Sequence, residues 1–269
     1  MEKKEFNSEN IVNVIEDWTL QKVSESVKQQ ETLLEDKLMP ELKKEMAVQE
    51  MQERELVRMQ GEHDIRNLAA KFVLSIKGGL FEEAYQCFAL ESEDVYANVE
   101  KYGIYEGKEK LHEYFVDYYK RIGGREGCFI MHELTNPIVE LAKDGNTAKA
   151  MFTVEGIFAV DTDNWMAEHE EARSMWQFGP WYMEFKKEKG EWKIWHLVMF
   201  DEVETTYEVS WSELASHNEI LDRSAPKPSR PVKEKHYFHT GRVPYLHQEP
   251  PVPYRTYKGQ SMSCAAENY

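Results

Sequence analysis

The hydrophobic period of this chain changes once, near Gly127, and that change limits the folds open to it. Before it, apolar residues recur at spacings of three and four, as on amphipathic helices; after it they alternate, as on strands buried along one face. Four alternating segments follow: FIMHELTNPIVELA, TAKAMFTVEGIFAV, MWQFGPWYMEFKKE and EWKIWHLVMFDEVE. Lys143-Asp144-Gly145-Asn146 divides the first two, Lys189-Gly190 divides the last two, and both suit antiparallel hairpins. Helices first and a long antiparallel meander after them predict an α+β domain with a curved sheet wrapped on helices.

The helical part divides further. Ile11, Val14, Ile15 and Trp18, then Leu34, Leu38, Leu42 and Met46, form apolar stripes. Pro40 suits a first helical turn, so one helix is expected up to about Met39 and a second from Pro40 toward Met59, presenting a packing or oligomer-contact face. From Asp64, a further helix puts Ile65, Leu68, Ala69, Phe72 and Ile76 on one face until Gly78-Gly79 ends it. A short helix from about Phe81 through Phe88, a strand over Val95 to Val99 with a turn at Lys101 to Gly103, and a helix after Gly107 complete this half. Beyond Pro226 the chain is rich in proline and tyrosine, and is expected as an extended arm over its own domain or a neighbouring subunit. The resulting division is a helical extension over 1–62, a central domain over 63–223 and the arm over 224–269.

Charge and motifs exclude several functions. Lys and Arg number 33 against 49 Asp and Glu, a net charge of -16, of which -14 falls between the extension and the arm. That field repels a phosphate backbone, so nucleic acid is not an expected partner. No run of about 18 apolar residues and no apolar leader follows MEKKEFNSEN, so neither a membrane span nor a signal peptide is expected. Cys87, Cys128 and Cys264 are odd in number and form no CxxC pair, which predicts a reducing, cytoplasmic setting. The nine histidines show no HExxH or three-ligand spacing, and GxGxxG, GxxxxGK[ST] and GxSxG are absent. No metal or cofactor is expected.

The strings DIRNLAAKF, GIYEGKEKL, HELTNPIVELAKDGNTAKAMF, WQFGPWYMEFKKEKGEWKIWHL and TTYEVSW, together spanning roughly residues 63 to 211, resemble the SnoaL-like branch of the nuclear transport factor two-like superfamily. KDGNTAKA and KKEKGEWKI carry most of that likeness. The long form, with its helical extension and Pro/Tyr tail, is similar to the cofactor-free lyases of that branch, such as diarylpropane deformylases and, by pattern, bile-acid dehydratases. The resemblance implies a cone: a bent sheet closed by helices around an apolar pocket, used for eliminations, isomerisations or cyclisations by acid/base chemistry. The same superfamily includes pure binding modules, so a non-catalytic ligand-binding or assembly role is the alternative.

Laid against the bile-acid dehydratases, the catalytic histidine falls on His132. The Tyr and Asp of the family's dyad fall on Phe72 and Lys77, and its arginine on Asp201. The expected catalytic set is His132, Asp201 and Lys77: His132 as principal acid/base, Asp201 orienting or accepting from it, and Lys77 as an acid or oxyanion donor, with a helix-end contact as its plainer role. If Asp201 points into the cone, alternation sends Met199 and Trp195 there too. Trp176, Trp181 and Tyr182 belong either to the pocket floor or to the core; Glu155 belongs either inside the pocket or on the wet face. Tyr96 and Tyr102 flank a hairpin placed at the mouth. The expected function is a cofactor-independent lyase, removing water or a small carbonyl fragment from a hydrophobic, ring-bearing, hydroxylated small molecule, in a homo-oligomer of two or three copies.

Overall fold

The computed structural model describes residues 8–159, 174–207, 210–211, 225–233, 235–238, 241, 243–244 and 249–251, with side chains from Val12 onward. Chain contacts divide it into two compact units, Met1–Val57 and Arg58–Tyr269. Helix α1 spans Ser8–Leu33, a π-helical segment Leu34–Leu38 follows, and α2 spans Met39–Lys77. The expected separate helices ending near Met59 and starting at Asp64 are therefore one: no proline stands between them to break the backbone ladder. Pro40 occupies the first turn of α2, as anticipated. In the first unit Trp18, Leu20, Val23 and Leu34 are exposed.

In the second unit, Ile65, Ala69, Phe72 and Ile76 of α2 are buried, and Phe72 meets Phe88 and Phe115 edge to face, each at 5.5 Å. The succession continues with α3 (Phe81–Tyr85), β1 (Tyr96–Val99), β2 (Gly103–Glu106), α4 (Gly107–His112), a second π-helical segment (Glu113–Tyr118) and α5 (Tyr119–Gly123). Strands β3 (Phe129–Leu141), β4 (Thr147–Ala159), β5 (Ser174–Glu188) and β6 (Glu191–Met199) form the antiparallel meander that alternation predicts. The sheet order is β2-β1-β6-β5-β4-β3. One pairing departs from the expectation: β1 joins β6 in parallel. Strand β7 (Val203–Thr206) pairs with β5 beyond the point where β6 leaves it.

The fold is thus the expected α+β arrangement of helices and a curved open sheet. Inward residues of the sheet, among them Phe152, Val154, Trp181, Met183 and Leu197, join the helices in the main core. Tyr96, Ile104, Tyr182, Val198 and Phe200 form a smaller cluster on the opposite face. Register shifts between Thr135 and Ile138 on β3, and opposite Glu184 and Phe185 where β6 carries Trp195 as an extra residue, reverse the inward parity along β3 and β6. The described part of the arm lies on its own domain: Ser229 N–H donates to Ile104 O at 2.8 Å, and Ile104 N–H donates to Arg230 O at 2.9 Å.

Candidate active site

The site begins as a row of residues across the sheet. Register pairs His132 on β3 with Gly156 on β4, and Gly156 with Gln177 on β5. The central glycine makes the row possible, because a Cβ there would lie 3.1 Å from Gln177 Cβ and 3.2 Å from His132 Cδ2. Across that gap His132 Nε2 lies 3.1 Å from Gln177 Oε1. An amide oxygen only accepts, so Nε2 of His132 carries the ring proton; its Nδ1 is buried without a partner. Burial disfavours the imidazolium more than the Gln177 contact favours it, and the His132 pKa falls from 6.5 to about 4.

The other amide end of Gln177 reaches Asp201: its Nε2 donates to Oδ1. Asp201 stands in the break between β6 and β7, where the chain crosses Gly179 so closely that a Cβ would lie 1.9 Å from Phe200 O. Phe200 N–H donates to Pro180 O at 3.2 Å, and Asp201 N–H donates to Glu100 Oε2 at 3.0 Å. Asp201 is fully buried, and its Oδ2 has no partner. Burial, then the negative charges of Glu204 and Glu100, raise its pKa well above the usual carboxylate range, against the opposing pull of Lys101 and the Gln177 bond. Both effects favour the protonated carboxyl, and because Oδ1 accepts from Gln177, a proton on Asp201 has its place on Oδ2.

Asp201 and Gln177 line a recess of ≈ 550 Å³, open mouth included, with an interior cavity of ≈ 60 Å³. That interior holds a few waters at about 10–15 Å³ each. The opposite wall comes from the second π-helical segment. Its wider winding brings Tyr114, Tyr118 and, at the first residue of α5, Tyr119 to one side, all lining the recess. Tyr102 and Tyr118 share a hydroxyl contact of 3.0 Å. Burial and the nearby Asp201 push the Tyr119 phenol upward, so it stays protonated. Lys101 and Glu204 form a buried ion pair on the same lining. Burial works to lower the Lys101 pKa, but Glu204, Tyr102 and Asp201 outweigh it and the ammonium is retained.

The recess gathers some of the expected residues and not others. Asp201, Met199 and Tyr102 line it. His132 is buried behind Gln177, between Trp181, with ring centroids 4.8 Å apart, and Phe158. It is outside the recess lining, so it meets Asp201 only through the Gln177 amide. Trp181 and Trp195 are core residues, and Trp195 Nε1–H donates to Asp94 Oδ1 at 2.8 Å. Lys77 is exposed, with its ammonium 5.8 Å from the Phe129 ring centre, because the helix-end position it shares with Gly78 turns it outward. Glu155 lies on the wet face, one residue off the inward parity of Gly156. Trp176 stacks on Phe178 and Tyr207, and Tyr182 and Tyr96 join the small cluster on the far face.

Sequence reasoning assigned none of Gln177, Lys101, Glu204, Glu100, Tyr114, Tyr118 and Tyr119 to the site. The one signal available for Gln177 was a polar residue at an apolar parity within MWQFGPW. Among the described residues no group of three or more His, Cys, Asp or Glu is arranged to hold a metal ion, and no helix is long and apolar enough to cross a membrane. Cys87 and Cys128 are free thiols; Cys264 lies outside the described residues.

A family model, the SnoaL-like domain, matches residues 57–198. The chain belongs to the SnoaL-like family. No curated protein matches the sequence. Solved structures that resemble this SnoaL-like protein include a hexachlorocyclohexane dehydrochlorinase, at 15% identity and a TM-score of 0.48, covering 58% of this chain and 95% of that one. A candidate scytalone dehydratase from Novosphingobium aromaticivorans shares 14% identity at a TM-score of 0.46, covering 68% and 99%. A nuclear transport factor 2-like protein from Salmonella enterica shares 14% at 0.44, covering 56% and 98%.

Proposed function

We propose that this SnoaL-like protein is a cofactor-independent lyase for a hydrophobic, ring-bearing, hydroxylated small molecule, with Asp201 as the acid that meets the substrate. The reading rests on one observation: Asp201, a buried carboxyl whose Oδ2 has no partner, lines the same recess as Tyr114, Tyr118 and Tyr119, with burial and the charges of Glu204 and Glu100 raising its pKa. A desolvated neutral carboxyl can give a proton to a leaving hydroxyl and then act as a carboxylate base in the same site. In a dehydration, Oδ2–H protonates the hydroxyl, the C–O bond breaks, and the carboxylate takes a proton from the neighbouring carbon. Where that carbon bears a hydroxymethyl group, the carboxylate instead takes the hydroxyl proton, the C–C bond breaks, and formaldehyde leaves after the water. Tyr102, Tyr118 and Tyr119 supply neutral donors for the substrate's remaining oxygens. His132, expected from the family pattern as the principal acid/base, becomes the group that fixes the Gln177 amide.

Mass spectrometry tests this directly. Chelator-treated full-length protein incubated with hydroxylated steroids and diaryl diols is expected to remove water or formaldehyde from one class. Asp201→Asn should lower that rate by about 10² to 10⁴-fold, the usual worth of a general acid, and His132→Ala by less. Turnover at the wild-type rate in Asp201→Asn overturns the assignment. A compound retained on the protein without any mass loss favours a binding module.

A further inference from the structure

The C-terminal arm carries a buried histidine that the proposed chemistry leaves unused. His236 is 8% exposed, and both its backbone N–H and its ring Nδ1 meet one oxygen, Oε1 of Glu100, at 2.8 and 2.6 Å. The second oxygen of the same carboxylate, Oε2, accepts from the backbone N–H of Asp201. Glu100 is itself 1% exposed, just past β1 where the chain turns toward the recess. A single buried carboxylate thus spans the arm on one side and the backbone of Asp201 on the other. Phe238 N–H donates to Glu202 O at 2.6 Å, and the His236 ring packs edge-on against Phe200 at 5.4 Å. Arm contacts therefore fall on Phe200 and Glu202, the residues either side of Asp201 in the crossing, and reach Asp201 itself only through Glu100. That crossing has no ladder of its own, since β6 ends at Met199 and β7 begins at Val203.

We infer that His236 and Glu100 form a clasp that positions Asp201, making the C-terminal arm a working part of the candidate active site. The inference rests on Asp201 being the acid of the recess. Its physical basis is economy of constraint. The β6–β7 break must aim one carboxyl at the recess while keeping water off it, and the short crossing has few bonds to do so. The clasp adds a fixed acceptor for the Asp201 N–H and an aromatic cover over Phe200, both contributed or held by the arm. His236 and Glu100 are absent from the recess lining, so they act through Asp201 as positioning residues.

Carbon-13 NMR of aspartate carboxyls in the full-length protein tests the clasp, with Asp201→Asn identifying the Asp201 signal. Wild type is expected to titrate far above the ordinary carboxylate range. His236→Ala, which loosens the crossing and admits water, should move the midpoint downward by about one pH unit or more. His236→Asn, whose side-chain N–H can replace the Nδ1 donor, should restore most of it. A His236→Ala protein with a native circular dichroism spectrum and an unshifted Asp201 midpoint overturns the clasp. Should His236→Ala fail to fold, Glu100→Gln serves in its place: removing the negative charge and loosening the hold should again lower the midpoint, and an unchanged midpoint overturns the inference. An Asp201 that titrates in the ordinary range in wild type defeats the acid reading itself, a different failure from the other two.

Discussion

At the scale of single residues the site is built on omissions as much as on groups. Gly156 has no side chain where His132 and Gln177 come close, and nothing in the local pattern distinguishes it from Glu155 beside it. His132 and Asp201 were both recognisable as positions on which the family pattern falls. The amide that joins them was not, because alternation says which residues share a face of one strand but not what stands opposite on the next. His132 makes a prediction with a definite sign. Its folded pKa of about 4 lies below its ordinary 6.5, so between those values the folded state binds fewer protons than the unfolded chain. Stability from this group is complete above about 6.5 and is lost as pH falls toward 4, by about 3 kcal/mol in all. Asp201 runs the other way: its raised pKa makes its contribution greatest below about 4, and that contribution declines as pH rises. Urea unfolding of wild type and His132→Gln at pH 6.5 and 4 isolates the histidine, and wild type should lose the larger amount. Equal losses would mean that His132 is not held neutral.

Elements were more legible than their partners. The change of period located β3 to β6, and Gly78-Gly79 marked the end of α2, because both signals are local. The parallel join of β1 to β6 has no local signature, and the break that presents Asp201 depends on how near two backbones can come. Gly179 sets that distance. A methyl group there would overlap Phe200 O at 1.9 Å, so Gly179→Ala must either push the 200–202 crossing away from β5 or distort the strand. Overpacking of this kind costs about 1–3 kcal/mol, and the displacement should carry Asp201 away from Gln177. Denaturant unfolding measures the first effect, and the Asp201 carboxyl midpoint, falling toward its ordinary value, reports the second. A variant with wild-type stability and an unmoved midpoint would contradict the crossing as described. The π-helical segment is a second element whose effect is non-local: a helix after Gly107 is legible from its spacing, but only the wider winding brings Tyr119, at the start of α5, to the wall that Tyr114 and Tyr118 form.

For the whole molecule, family and fold class were readable because the likeness rests on strings spread over the central domain, where accidental agreement in one segment is corrected by the next. The extension before it is a different problem. Helix α1 presents Val12, Val14, Ile15, Trp18, Leu20 and Val23, each more than half exposed, with Trp18 at 61% and Leu20 at 68%. A helix in water takes most of its stability from packing an apolar face rather than from intrinsic propensity. Its charged side chains are partly spent on neighbours along the same helix, Lys22 meeting Glu25 at 2.8 Å, and such exposed pairs add only a few tenths of a kcal/mol. We therefore propose that copies of the chain associate through these helices as a dimer or trimer. Light scattering of the full-length protein should return two or three times the chain mass of 31.7 kDa. Exchanging Val14, Ile15 and Trp18, which share one face of the helix, together for serine should lower that mass and reduce the helical signal, because helices deprived of their packing face lose most of what holds them wound. A wild-type protein that remains monomeric at micromolar concentration, with its helical signal undiminished, would show that the extension stands without a second copy.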